Sequence, residues 1–248
     1  MPMNVEQLLA GLDRRVDVPK EVSRRLARAC GYPRRRETEN MQANGGERHA
    51  FEVVFVCSGN RFRSPLAEAS LRKLTEGLPV HVSSVGTLDL GPQPVLPEAL
   101  TLAGSLGLDL SGHRARPLAR QSLARADLVI GFERPHVSIA VVEAGAPPAR
   151  TFTMLELVDL LEWIDPPTAR DPVARAHEAV ARLDEARSVH LPGAAPELAD
   201  PLGSSARVHR HAAGRVWEST HALARVLFGV QTGAAAPAPL AGGLRRRR

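Results

Sequence analysis

Residues Cys57–Ser64 read CSGNRFRS, and this stretch limits what the rest of the chain can become. Phe51–Val56 (FEVVFV) precedes it with the aromatic and β-branched content of a buried strand. Pro65 and a run with helix character, Leu66–Leu74, follow it. A strand that ends on a Gly-containing loop and feeds a helix builds an anion cradle. The loop amides point inward, and the helix dipole adds partial positive charge there. A cysteine opens the cradle and an arginine sits six positions later. That spacing suits a thiolate nucleophile facing a phosphate held by a guanidinium fork.

Further segments repeat the alternation. Val80–Val85, Asp127–Phe132 and Arg150–Thr153 read as strands, and Leu96–Leu106 reads as a helix ended by Gly107. Strands alternating with helical segments predict an α/β fold: a doubly wound, four-stranded parallel sheet with helices on both faces. Leu155–Trp163 and Val173–Arg187 have helical character, broken at Pro166-Pro167 and Leu191–Pro196. The stretch 155–199 is therefore expected to be a helical insertion or lid. A last helix is expected over Ser205–Phe228. Residues 1–48 read as a basic helical extension and linker, 49–230 as the domain, and 231–248 as a disordered Ala/Pro/Arg tail.

The sequence pI of about 10.1 invites a nucleic-acid reading, but the charge is misplaced for one. Residues 1–48 carry ten Lys/Arg against seven Asp/Glu, four arginines close the chain, and the stretch between is at −2. A phosphate site in a near-neutral body is a local device rather than a field of the whole domain. The two cysteines, Cys30 and Cys57, argue against a disulfide framework, and neither has the companions of a zinc site. Cys30 reads as a small packed residue. No apolar run approaches the roughly 18 residues that span a bilayer, and the first twenty residues lack a signal peptide's apolar centre. The chain reads as cytoplasmic.

Three Asp-Pro pairs, Asp165-Pro166, Asp171-Pro172 and Asp200-Pro201, could supply the acid that a thiolate attack on phosphorus requires for the leaving oxygen. Any of them could instead cap a helix. His209, His211 and His221 fall on the last expected helix, where a spacing of two does not make one face, so metal ligation there is not expected.

CSGNRFRSPLAEA resembles the signature of the low-molecular-weight protein tyrosine phosphatases of bacterial type. Ser84-Val85-Gly86-Thr87 is similar to that family's Ser-Ala-Gly-Thr element, and Gly107–Arg116 follows its pattern after the second helix. Asp200-Pro201-Leu202-Gly203-Ser204-Ser205 matches its Asp-Pro-x-Gly-x-Ser acid loop and selects Asp200 over Asp165 and Asp171. The resemblance implies hydrolysis of phosphomonoesters through a phosphocysteine, with a phosphorylated protein, most naturally a phosphotyrosine protein, as partner. It implies no cofactor and no metal. Cys57 would attack, Arg63 would stabilise the equatorial oxygens, Ser64 would donate to the thiolate, and Asp200 would serve as acid and then base. Ser58, Gly59, Asn60, Arg61, Phe62 and Arg63 would bind the phosphoryl group, with Asn60 bracing the loop. His113 and Arg114 are expected to do structural work near the second helix.

The departures matter. Many relatives carry a second cysteine where Phe62 stands here. Arg61 replaces a small or apolar residue, Leu202 and Gly203 stand where aromatic residues often follow the acid's Asp-Pro, and Leu88 and Leu90 occupy the other wall. Arsenate reduction on the same fold needs further cysteines. Phosphoarginine hydrolysis and a low-turnover phosphoprotein-binding module are the other readings.

Overall fold

β1, Phe51–Cys57, lies inside the sheet because both of its faces are apolar. In the computed structural model, which describes residues 50–189 and 197–231, Phe51, Val53, Phe55 and Cys57 enter one core. Val54 and Val56 enter a second. This is the period-two alternation of a strand buried on both sides. Burying each large apolar side chain contributes roughly 1.5–3 kcal/mol.

β2 (Val80–Gly86) and β3 (Leu128–Gly131) flank β1, and β4 (Thr151–Thr153) lies beyond β3. The order is β2-β1-β3-β4, and every pairing is parallel. Helices α1 (Arg63–Leu74), α2 (Pro97–Ser105), α4 (Met154–Leu160), α5 (Pro172–Val189) and α6 (Ala206–Phe228) cover the larger core. Helix α3 (Arg134–Val142) covers the other face through Ala140. The chain therefore adopts the doubly wound α/β fold. Its strand order reverses between β1 and β3, and the carboxyl ends of strands at such a switch point open a crevice for ligands. The Cys57 loop and Glu133 both leave the sheet there.

Helix α6 buries Ala212, Val216, Leu223 and Leu227 and ends on Gly229, whose φ of 71° closes it in the left-handed conformation. Ser70 of α1 and Thr220 of α6 share a buried hydrogen bond at 2.6 Å. The last helix is thus locked to the helix that follows the Cys57 loop.

Three features differ from the sequence reading. The first helix begins at Arg63 rather than Leu66, because Pro65 falls in its first turn, where a missing N–H costs nothing. Residues 134–142 form a helix where the reading assigned no element; Pro135 sits in its first turn, and Glu133 and His136 close a capping box. Within 155–199, α5 buries Ala176, Ala179, Val180 and Leu183 in the larger core. It is a packed layer and not a lid. The expected extension over 1–48 with Cys30, the break at Leu191–Pro196 and the tail from 232 lie outside the described residues.

Candidate active site

The loop that follows β1 turns its carbonyl groups outward. Cys57 O accepts from Thr87 N–H at 2.9 Å, Ser58 O from Leu88 N–H at 2.9 Å and Arg61 O from Leu96 N–H at 2.9 Å. Asn60 O is met by His113 Nε2 at 2.9 Å and Phe62 O by Leu66 N–H at 3.2 Å. The N–H groups of residues 58–62 have no partner among the described residues. A run of amides without acceptors, ahead of a helix N-terminus, is an anion receptor. Four of the outward carbonyls are held by β2's exit, α2's start and the His113 loop, and the fifth by the first turn of α1, so the receptor is rigid before any ligand arrives.

Asn60 makes this geometry possible. Its φ of 52° is the one positive value at a non-glycine residue among the described residues, and asparagine tolerates that conformation better than branched side chains. Its fully buried amide donates to Ser64 Oγ at 2.9 Å and Ser84 Oγ at 2.7 Å, and its Oδ1 accepts from Arg116 N–H at 2.9 Å. Ser84 in turn donates to Glu68 at 2.5 Å, and Glu68 pairs with Arg116 at 3.1 Å and with Arg72. His113, expected to serve the second helix, braces the loop instead. Burial lowers its pKa, and the bond to the Asn60 carbonyl partly opposes that. Among the described residues, Arg114 bonds only to the carbonyls of Ser111 and His113.

Cys57 Sγ lies 2.9 Å from Ser64 Oγ. Ser64 already accepts from Asn60, so its own hydrogen is free to point at the sulfur. The arrangement can stabilise a thiolate both when it forms and when it departs.

Arg63 is 1% exposed, yet its guanidinium meets the loop from the far side. Nη1 donates to Glu133 Oε2 at 2.6 Å and Leu198 O at 2.8 Å. Nη2 donates to Asp200 Oδ2 at 2.7 Å and Ser58 Oγ at 3.2 Å. A buried cation needs such charge-assisted partners. Leu198 N–H donates to Phe132 O at 3.1 Å, and Glu197 accepts from Arg134 N–H at 2.8 Å. The segment carrying Asp200 is therefore stitched to the end of β3 and to the start of α3.

The structure brings Cys57, Ser58, Gly59, Arg61, Phe62, Arg63 and Asp200 to one cleft, rimmed by Leu88, Leu90, Leu96 and Leu202. Asp171 instead caps α5, accepting from Val173 N–H at 3.1 Å and Ala174 N–H at 2.9 Å. Asp165 is exposed beside α5, where its carbonyl accepts from Arg182 at 2.8 Å. Glu133 and His136 are site residues that the sequence reading missed; the Glu-x-x-His spacing of a capping box was the available signal. His136 is buried, and burial with the nearby Arg63 charge pushes its pKa down to about 4. Among the described residues, no group of three or more His, Cys, Asp or Glu side chains could hold a metal, and no helix is long and apolar enough to cross a membrane.

The solved low molecular weight protein tyrosine phosphatase from T. tengcongensis superposes with a TM-score of 0.52 at 24% identity, over 70% of this chain and 97% of that one. The YwlE arginine phosphatase from Geobacillus stearothermophilus does so with a TM-score of 0.52 at 23% identity, over 71% and 91%. In sequence, the low molecular weight protein-tyrosine-phosphatase Etp of Escherichia coli (strain K12) is 35% identical over 127 residues, 51% of this chain and 80% of Etp. The protein-arginine-phosphatase of Bacillus subtilis (strain 168) is 32% identical over 109 residues, 43% of this chain and 72% of that protein. The family model for low molecular weight phosphotyrosine protein phosphatase matches residues 52–178, ending ahead of Asp200. The chain therefore belongs to the low molecular weight phosphotyrosine protein phosphatases, a family of cysteine-dependent phosphatases.

Proposed function

We propose that Cys57 is the nucleophile of this chain, Arg63 its oxyanion clamp and Asp200 its acid and base, and that the substrate is phosphotyrosine on a protein. The observation that supports the assignment best is the convergence on one cleft of the contiguous 57–63 stretch, which carries Cys57, the amide-lined loop and Arg63, with Asp200 from 137 residues further along the chain. The thiolate attacks phosphorus; the P–S bond forms as the P–O bond to tyrosine breaks, and Asp200 gives its proton to the departing oxygen. Asp200 then takes a proton from a water that attacks phosphorus, the P–S bond breaks, and Ser64 supports the thiolate as it leaves. Amides 58–62 and Arg63 carry the charge that develops on the equatorial oxygens.

The substrate class rests on the rim. Leu88, Leu90 and Leu202 are 54%, 42% and 66% exposed and give an aromatic leaving group aliphatic surface to pack on. Arg61, anchored to Pro94 O at 2.8 Å, adds a cation to the same rim. It disfavours the positively charged guanidinium of phosphoarginine, the reading that the similarity to the arginine phosphatase keeps open. Turnover of para-nitrophenyl phosphate and of a phosphotyrosine peptide, set against a phosphoarginine peptide, tests both levels. Cys57→Ser is expected to abolish turnover, and Asp200→Ala to lower kcat by about 10²–10⁴ while substrate still binds. Turnover retained in Cys57→Ser would refute the assignment.

A further inference from the structure

We propose that the Ser58 hydroxyl is a further donor to the bound phosphoryl group, and that His136 is the positioning residue that fixes its direction. The inference rests on the reading of Cys57 and Arg63 given above, and follows from counting lone pairs and hydrogens. His136 Nδ1 faces the Glu133 N–H at 3.0 Å, so that nitrogen accepts. In a neutral imidazole the hydrogen then resides on Nε2, which lies 3.0 Å from Ser58 Oγ and donates to it. Burial is the main reason the ring stays neutral at working pH, with Arg63 second. Arg63 Nη2 also donates to Ser58 Oγ, at 3.2 Å. Both lone pairs of that oxygen are thereby engaged by donors.

The hydroxyl hydrogen is left over. Among the described residues Ser58 Oγ has no acceptor for it, and Ser58 lines the same cleft as Cys57, Arg63 and Asp200. A hydroxyl that two fixed N–H groups force to donate, facing an anion site, is a preorganised oxyanion donor rather than a rotor. Without His136 the hydroxyl could turn and present a lone pair to the anion, which would repel it. The clamp on the phosphoryl group is in this way extended from the loop amides to a side chain. The imidazole behind it never touches the substrate.

The test measures orthovanadate inhibition and kcat/KM for para-nitrophenyl phosphate in Ser58→Ala, His136→Phe, His136→Gln and the double variant Ser58→Ala/His136→Phe. Ser58→Ala is expected to weaken vanadate about 10-fold or more, the size of one hydrogen bond to a charged group. His136→Phe should do the same, because phenylalanine cannot donate. His136→Gln, whose amide N–H can, should recover most of the affinity. In the Ser58→Ala background, His136→Phe should change vanadate inhibition by less than about 2-fold. Wild-type vanadate inhibition in Ser58→Ala overturns the proposal, as does an equal effect of His136→Phe with and without the serine. Cys57→Ser separates the two levels: an inert Cys57→Ser beside an unaffected Ser58→Ala sinks this inference alone, whereas an active Cys57→Ser sinks the parent reading. If His136→Phe fails to fold in a thermal melt, Ser58→Ala decides by itself.

Discussion

Gly86 ends β2 directly under the Cys57 loop, and Gly86→Ala should separate stability from activity. The added Cβ would stand 2.8 Å from Ser58 O, 3.0 Å from Asn60 N and 3.0 Å from Gly59 C. All three are backbone atoms, so no rotamer change relieves them. Ordinary contact begins near 3.4 Å, which asks for a displacement of about 0.5 Å. β2 cannot retreat freely, because Gly86 N–H donates to Arg116 O at 2.8 Å and Thr87 N–H to Cys57 O at 2.9 Å. The loop must move instead. Overpacking of this kind costs about 1–3 kcal/mol of stability, a fall of a few degrees in Tm. A misplaced oxyanion receptor costs more: kcat/KM for para-nitrophenyl phosphate is predicted to drop about 10²-fold or further. Gly104→Ala, with nothing within 4 Å of its new Cβ, is the control and should keep wild-type activity. A folded Gly86→Ala protein with wild-type kcat/KM would show that the loop does not depend on this contact.

Glu197→Ala removes the carboxylate that ties the Asp200 segment to Arg134 N–H. Its kcat should fall about 10-fold for phenyl phosphate, which needs an acid, and by less than about 3-fold for para-nitrophenyl phosphate; equal losses would deny it a part in placing the acid. Asn60→Ala removes the donor to Ser64 and Ser84 and the acceptor of Arg116 N–H, and imposes a positive φ on alanine. A loss of about 2–4 kcal/mol in urea melts is expected, and Asn60→Gly, which relieves only the backbone, should recover part of the stability and little activity. The His136 pKa is depressed from 6.5 to about 4, so the unfolded chain takes up a proton that the folded protein refuses. This contribution is complete above the unfolded value and is lost as pH falls from about 6.5 towards about 4, by about 3 kcal/mol in all. Urea melts across that range should show the slope in wild type and lack it in His136→Gln.

What could be read from the residues alone depended on how local the cause was. β1 announces itself because an apolar, β-branched run buried on both sides needs no partner to be recognised. The cradle was legible for the same reason, since loop, glycine and helix start are contiguous. Helix α3 was not legible. Its Val137, Ile139, Val141 and Val142 favour a strand by propensity, whereas the capping box and the packing of Ala140, Ile139 and Val141 on the smaller core favour the helix. Glu133 and His136 reach Arg63 and Ser58 across separations of 70 and 78 residues, which no periodicity reports. Sequence proximity associates His113 with the second helix, whereas its acceptor lies 53 residues away. The pattern of its loop points to Asp200 as the acid, and its 2.7 Å approach to Arg63 is the geometric argument that supports the proposal.

The ion pair between Arg63 and Asp200 has a consequence for inhibition. In the unliganded protein the Asp200 carboxylate sits on the Arg63 guanidinium, the group to which the proposed function assigns the incoming oxyanion. On that proposal product, vanadate and substrate would all compete with this internal ligand, and the affinity measured for any of them would be a difference between two occupants. Shortening that one side chain, as in Asp200→Ala, should therefore tighten the grip on inorganic phosphate even as turnover collapses, and a slow enzyme that holds its ligand harder is the form best suited to capturing the phosphoprotein it acts upon.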